Sequence, residues 1–384
     1  MIDQPETIKQ TFDKTFDKLV EIANQFKPDA QVANIQHHGS GNINSTFLVT
    51  LELKPPFILQ RLNTAVFCQP ELVMNNICIL SDYVHRQLEQ SKKQSNLSSK
   101  RRWLMPRVLL TPQKQNHYVA EDGTFWRGIS FIDNSESFDT IQDLQHAQEI
   151  GYGLGMFHRL LTNLPTEQLA DTLEGFHITP GYLKHYHQVR EKVQIDSSTE
   201  VNYCLQFIRD RPNLPYILEN AKATGKLHLR TIHGDPKINN IMIDCSTKEA
   251  VAMIDLDTVK PGLIHYDIGD CLRSGCNSLG EETSNWEQVK FEPELAQAIL
   301  QGYLEVAREF LTENDYEYIY DSIRLLAFEL GLRFFTDYLE GNVYFNANHS
   351  EHNLARALVQ FKLTESIESQ QETIEQIIAN LMSC

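Results

Sequence analysis

Two polar breaks in apolar sequence carry the residue types that could do chemistry. The first is Ile232-His233-Gly234-Asp235-Pro236-Lys237-Ile238-Asn239-Asn240-Ile241-Met242-Ile243, and the second, with its first Asp fifteen residues after Asn240, is Met253-Ile254-Asp255-Leu256-Asp257. Carboxylates and a carboxamide on loops beside short apolar strands suit Mg²⁺-assisted phosphoryl transfer. One carboxylate must orient an attacking hydroxyl and take its proton, while an Asn oxygen and a second carboxylate hold the hard cation that bridges nucleotide phosphates. A turn in which Asp235 and Asn240 merely bond to backbone is the bland alternative. The apolar-Asp-apolar segment at hairpin distance weighs against it. His233 reads as a packed support for the loop, because Asp235 already fills the role of base. Asp257 is open between a second metal ligand and a satisfied loop carboxylate.

Other segments carry weaker signals. Gly39-Ser40-Gly41 precedes an alternating strand and offers backbone N–H groups that could fold over phosphates, although a plain β-turn has the same composition. Glu329, Arg333 and Asp337 recur every fourth residue and so share one face of an otherwise apolar helix. Charges there are costly unless they pair or face a polar cleft. They are either an ion-pair ladder or, with Tyr344, part of an acceptor pocket in which a guanidinium fork and a phenol bind hydroxyls or a carbonyl. Asp267, Asp270 and Arg273 read as braces for the loops.

The elements that must position these groups fall into two regions. The first thirty residues have helical apolar spacing, ended by Pro28. Strands are expected at 32–36, 45–53, 57–62, 105–110, 117–120 and 126–132, with a helix over 70–90 and a mobile polar loop over 91–102. Beyond Asp133 helical spacing dominates, over 141–164, 181–192, 201–223, 293–311, 315–339 and 352–382, broken by a strand pair near 241–256. The expected division is a β-rich N-terminal lobe, 1–132, and a helical lobe, 133–384, with a ligand cleft between unlike lobes. The fold class is α+β.

Composition removes several function classes. The chain has 384 residues, 41% of them hydrophobic, enough for a large core. Its 34 Lys and Arg against 51 Asp and Glu leave a net charge of −17, which disfavours an undirected grip on nucleic acid or an anionic membrane. No apolar run reaches the roughly 20 residues of a membrane helix and the N-terminus lacks signal-peptide character, so a cytoplasmic location is expected. Seven scattered cysteines with no CxxC pair argue against a disulfide framework or a structural zinc.

The motif HGDPKINN with IDLD resembles the catalytic and metal loops of the aminoglycoside phosphotransferase and choline kinase superfamily, whose fold is two-lobed and protein-kinase-like. The resemblance implies that Asp235 is the catalytic Asp, that Asn240 and Asp255 are Mg²⁺ ligands, and that Lys237 neutralises the transferring phosphate. HGSGNINSTF (38–47), FILQRLN (57–63), IDLDTVKPG (254–262) and YDIGD (266–270) are similar to the N-acetylhexosamine 1-kinase group, so the resemblance spans most of the chain. A kinase-like lobe should carry a lysine on its third strand that pairs with the phosphates and a helix glutamate. This sequence departs there, offering Gln60 and Arg61 on opposite faces. Arg61 is expected as the cation, with Glu71 as its partner or a first-turn acid. Together these imply ATP and Mg²⁺ as cofactors, nucleotide contacts at Gly39, Ser40, Gly41, Asn44, Arg61 and the crossover at Phe131, and a small-molecule acceptor at Arg333 and Tyr344. The expected reaction phosphorylates the anomeric hydroxyl of a hexose or N-acetylhexosamine. Homoserine, choline or aminoglycoside kinases are the alternatives, with a catalytically inactive nucleotide-binding module behind them.

Overall fold

The computed structural model describes residues 16–39, 43–93, 101–194 and 197–383. They part into two compact units: the described residues up to 93 with Leu104–Asp133, and residues 101–103 with those from Asn134 onward.

In the first unit, period-two alternation of apolar side chains builds an antiparallel sheet of β1 (Val32–His37), β2 (Ser45–Leu51), β3 (Phe57–Leu62), β4 (Val108–Leu109), β5 (Tyr118–Val119) and β6 (Phe125–Ser130). The order is β1-β2-β3-β6-β4, with β5 also on β6. One face presents Phe47, Val49, Leu51, Phe57, Leu59 and Trp126 to Ile22 and Ala23 of helix α1 (16–24) and to Phe26 in the turn that follows it. Register sets Arg61 opposite Trp126 and Gln60 opposite Arg127, so Gln60 and Arg127 point to the other face. That face meets helix α2 (Pro70–Lys93): the Arg127 Nε donates to Gln60 Oε1 at 2.9 Å, and its Nη1 lies 4.0 Å from Met74 Sδ.

The second unit is mainly helical. β7 (Ser135–Glu136), β9 (Ile241–Asp244) and β10 (Ala250–Met253) form one small antiparallel sheet, and β8 (Arg230–Ile232) pairs with β11 (Lys260–Gly262). The helices are α3 (Leu144–Leu161), α4 (Thr179–Lys192), α5 (Thr199–Arg209), α6 (Ile217–Ala223), α7 (Ile264–Gly275), α8 (Pro293–Ala307), α9 (Glu313–Glu317), α10 (Ile319–Leu339), α11 (His352–Ser369) and α12 (Gln371–Ser383). Asp143 starts α3 by accepting the His146 N–H at 2.7 Å. Gly151 and Gly302 let α3 and α8 touch backbone to backbone: a Cβ on Gly151 would lie 1.8 Å from the Ile299 carbonyl oxygen.

Several expectations need correction. The span 201–223 is two helices, because Pro212 and Pro215 interrupt its hydrogen bonding. The span 352–382 divides at Gln370, whose side-chain amide donates instead to Phe291 O and Ser366. Helix α7 is absent from the helices expected by periodicity, since it is buried on nearly every side and carries His265, Asp267, Asp270 and Arg273 among its buried apolar residues. The polar stretch expected to be a mobile loop is helical up to Lys93 and held at its other end, with 94–100 outside the described residues. Arg101 grips Glu149 with two hydrogen bonds, of 3.2 and 2.9 Å, and lies 4.0 Å over the Tyr152 ring, while Arg102 reaches Asp244 at 3.3 Å. Among the described residues no helix is long and apolar enough to cross a membrane.

Candidate active site

Strand β8 delivers the chain to His233, and the next residue must be glycine. Gly234 has φ +87°, and a Cβ there would meet the Thr258 carbonyl oxygen at 2.7 Å. Asp267, on the first turn of α7, fixes this backbone by accepting the N–H of His233 at 2.7 Å and of Gly234 at 2.8 Å. Its Oδ2 also meets His158 Nε2 at 2.8 Å, and His158 Nδ1 lies 3.0 Å from the Tyr303 hydroxyl. Burial works to raise the Asp267 pKa, but its contacts with His158 and His233 outweigh that and hold it below the usual carboxylate range. His233 is the support expected of it: fully buried, with Nε2 2.9 Å from Ile254 O. Burial pushes its pKa down, so the neutral ring donates from Nε2 while Nδ1 accepts the Asp235 N–H at 3.3 Å.

Asp235 follows with its carboxylate partly open to solvent and Oδ2 3.0 Å from Lys237 Nζ. Burial would raise its pKa, yet Lys237 prevails and holds it below the usual range, so at neutral pH it is an ionised acceptor. The same pairing raises Lys237 and keeps it cationic.

Asn240 and Asp255 fit a hard cation. The Asn240 side-chain N–H donates to the Asp235 carbonyl at 2.8 Å, which turns its carbonyl oxygen elsewhere, and the Ile254 N–H donates to Asn240 O at 2.9 Å, setting Asp255 beside it. Asp255 has φ +62°, a left-handed conformation that most side chains avoid and short polar ones tolerate. One amide oxygen and one carboxylate in adjacent turns are the donor types Mg²⁺ takes.

Glu329, Arg333 and Asp337 do not form a ladder. Glu329 takes His177 Nδ1 at 2.9 Å and the Thr179 hydroxyl at 2.6 Å. Asp337 caps the next loop, accepting the N–H groups of Val343, Tyr344 and Phe345 at 2.9, 2.7 and 3.0 Å. Arg333, between them, sits among four rings: Phe176 at 5.2 Å, Tyr182 at 5.0 Å, Tyr344 at 5.9 Å and Phe345 at 5.2 Å. Among the described residues its guanidinium has no hydrogen-bond acceptor and no carboxylate within ion-pair distance. Burial pushes the Tyr182 hydroxyl up to about 12, so it stays a neutral donor and acceptor. Arg333 and Tyr344 are thus brought together as expected, while Phe176, Tyr182 and Phe345 went unnoticed because two of them lie some 150 residues from Arg333 with no motif to mark them.

The model of the phosphotransferase enzyme family APH matches residues 34–313. The chain belongs to this family. Among solved structures, an aminoglycoside phosphotransferase from Alicyclobacillus acidocaldarius superposes with TM-score 0.57 at 16% identity, covering 94% of this chain and 95% of that one. A microcompartment-associated aminopropanol kinase gives 0.59 at 13%, covering 94% and 98%. The amicoumacin kinase hAmiN, in complex with AMP-PNP, Ca²⁺ and Ami, gives 0.57 at 14%, covering 96% of each. At these identities the likeness establishes a protein-kinase-like α+β fold, and family membership makes the chain a small-molecule phosphotransferase.

Within this phosphotransferase the expected nucleotide residues of the first unit are placed as follows. Gly39 has φ +77°, a Cβ added there would meet none of the described residues within 4 Å, and Ser40 and Gly41 lie outside the described residues. Asn44 Oδ1 accepts the Asn63 N–H at 3.0 Å, tying the start of β2 to the end of β3. Phe131 packs edge-on to His38 with ring centroids 5.9 Å apart. Arg61 is exposed on the α1 face and Glu71 is exposed in the first turn of α2, and among the described residues no ion pair joins them. The cation on the α2 face is Arg127, 1% exposed, whose position in the otherwise apolar strand FWRGIS was the signal for it.

Proposed function

We propose that this phosphotransferase moves the γ-phosphoryl group of ATP onto the anomeric hydroxyl of a hexose or N-acetylhexosamine. The observation that carries the reading is the Arg333 cage. An amine or quaternary ammonium acceptor needs aromatic faces or carboxylates, and here four rings surround a protein cation that would repel it. A sugar supplies what a guanidinium lacks, hydroxyl and acyl oxygens that accept from its N–H fork. Tyr344, half exposed beside it, adds a phenol that can donate or accept.

In this reading Asp235 accepts the proton of the acceptor hydroxyl. An anomeric hydroxyl is more acidic than an ordinary alcohol, so one ionised carboxylate suffices as base. Asp267 and His233 keep Asp235 aimed by fixing the peptides on either side of Gly234. Lys237 offsets charge on the moving phosphoryl group. Asn240 and Asp255 would hold Mg²⁺, which when bound supplies charge neutralisation across the nucleotide phosphates. The backbone of Gly39, Ser40 and Gly41 is assigned to the phosphates, with Asn44 supporting that turn and Phe131 beside the base. The phosphate-pairing cation of a kinase-like lobe faces its helix. We therefore assign that role to Arg127, in preference to Arg61.

The test is Mg²⁺- and ATP-dependent ADP release with GlcNAc, GalNAc, glucose, galactose, homoserine, choline and kanamycin, with phosphate position read by NMR. A sugar 1-phosphate is the expected product. Turnover confined to choline, kanamycin or homoserine would overturn the sugar reading and leave the phosphotransferase intact.

A further inference from the structure

A buried histidine that no motif marks lies under the catalytic loop. His177 is 4% exposed, and both ring nitrogens meet acceptors: Nε2 is 2.7 Å from the Gly234 carbonyl oxygen and Nδ1 is 2.9 Å from Glu329 Oε1. A neutral imidazole has one N–H and would leave one of these contacts without a proton, unless Glu329 carried it. Its backbone is left-handed, φ +65°, a conformation a histidine keeps only where its surroundings fix it. The ring lies 5.4 Å from Tyr266 at 25° and 4.0 Å from Phe176.

We infer that His177 is a positioning residue that works as an imidazolium, anchoring the carbonyl that precedes Asp235 and, by engaging Glu329, keeping Arg333 free for the acceptor. Asp267 holds the same peptide segment by its N–H groups, so Gly234 is clamped at both ends. Glu329 is one helical turn before Arg333 and would be its natural i, i+4 partner. It is instead committed to His177 and to the Thr179 hydroxyl at 2.6 Å, and among the described residues Arg333 is left with rings alone. One proton on His177 therefore serves both the loop that carries the base and the fork that meets the acceptor.

The charged and titratable groups facing the histidine are Glu329 from α10, Asp270 and Tyr266 from α7, and Tyr182 from α4, whose hydroxyl bonds the His177 backbone. Burial alone would lower the His177 pKa, but Glu329 and the other acceptors outweigh it and hold it above the ordinary value. A raised folded-state pKa means the contribution is full at low pH and is lost as pH rises through that value.

The assignment rests on Asp235 and Arg333 having the roles proposed above, so the first measurement avoids activity. NMR of ¹⁵N-histidine-labelled protein at pH 7, with the His177 signals identified from H177Q, should show two protonated ring nitrogens. One N–H overturns the inference whatever the acceptor is, while two N–H groups with no sugar turned over would overturn only the sugar reading. The second measurement is the pH profile of kcat on the acceptor found in the panel. Glu329→Gln keeps the hydrogen-bonding shape and removes the counter-charge, so the alkaline limb should move down by about one pH unit, with acceptor KM rising and ATP KM unchanged. A profile that superimposes on the wild type, or equal changes in both KM values, overturns the inference.

Discussion

The Gly234 N–H donates to Asp267 at 2.8 Å, and that bond fixes the His233–Gly234 peptide, one residue before Asp235. The same carboxylate accepts from His233 and contacts His158, so both of its oxygens are used in a fully buried setting. Asp267→Asn replaces one acceptor with a donor and leaves a buried N–H facing another donor. The expected loss is about 3 kcal/mol of unfolding free energy, read from denaturant midpoints, with kcat falling more than nucleotide affinity.

Asp235→Asn keeps the size of the side chain and removes the proposed base. Turnover should fall about a thousandfold while nucleotide binding, followed by calorimetry, persists, because Asn240 and Asp255 are untouched. Turnover near wild type would remove Asp235 from the mechanism.

How much of this could be read from sequence follows from distance along the chain. Asp235, Asn240 and Asp255 sit on one loop and the hairpin after it, so spacing alone exposes them, and the Ile254-to-Asn240 backbone bond is what that spacing builds. The Arg333 cage draws rings from Phe176 and Tyr182, far along the chain from it with no motif to tie them to Arg333, and only tertiary packing unites them. Helix α7 failed the periodicity test for a related reason, since it spends buried positions on Asp267 and Arg273, which hold loops and charges. Gln60 and Arg61 were correctly separated onto opposite faces by the strand period, but which face met the helix depended on α1 covering the other.

The α3–α8 crossing gives a prediction independent of the chemistry. Gly151→Ala places a methyl 1.8 Å from the Ile299 carbonyl oxygen, and Gly302→Ala does the same to Gln148, so the helices must part. Each should cost about 3 kcal/mol or more in thermal or denaturant unfolding. Gly181→Ala, in α4 with nothing within 4 Å of the new methyl, should instead stabilise by about 0.5 kcal/mol.

His265 sets an acid limit on stability. It is 1% exposed, with Nε2 2.9 Å from Asp315 O, and burial pushes its pKa down to about 4 from 6.5. Below the unfolded value only the unfolded chain takes up the proton, so stability should fall with decreasing pH by about 1.4 kcal/mol per unit across that window and level off near the folded value. His265→Gln keeps a donor toward Asp315 and should flatten this slope in denaturant midpoints measured from pH 7 to pH 4.

In the proposed reading Arg333 decides between acceptor classes. Arg333→Lys keeps the charge and loses the planar fork, so acceptor KM should rise about tenfold with ATP KM unchanged. Arg333→Ala goes further, because it leaves Phe176, Tyr182, Tyr344 and Phe345 facing an empty space of the kind that attracts a quaternary ammonium. Choline should therefore compete with the sugar in Arg333→Ala and not in the wild type. Equal inhibition of both proteins would mean that the rings are not what faces the acceptor, and that the guanidinium does not exclude cations from this phosphotransferase.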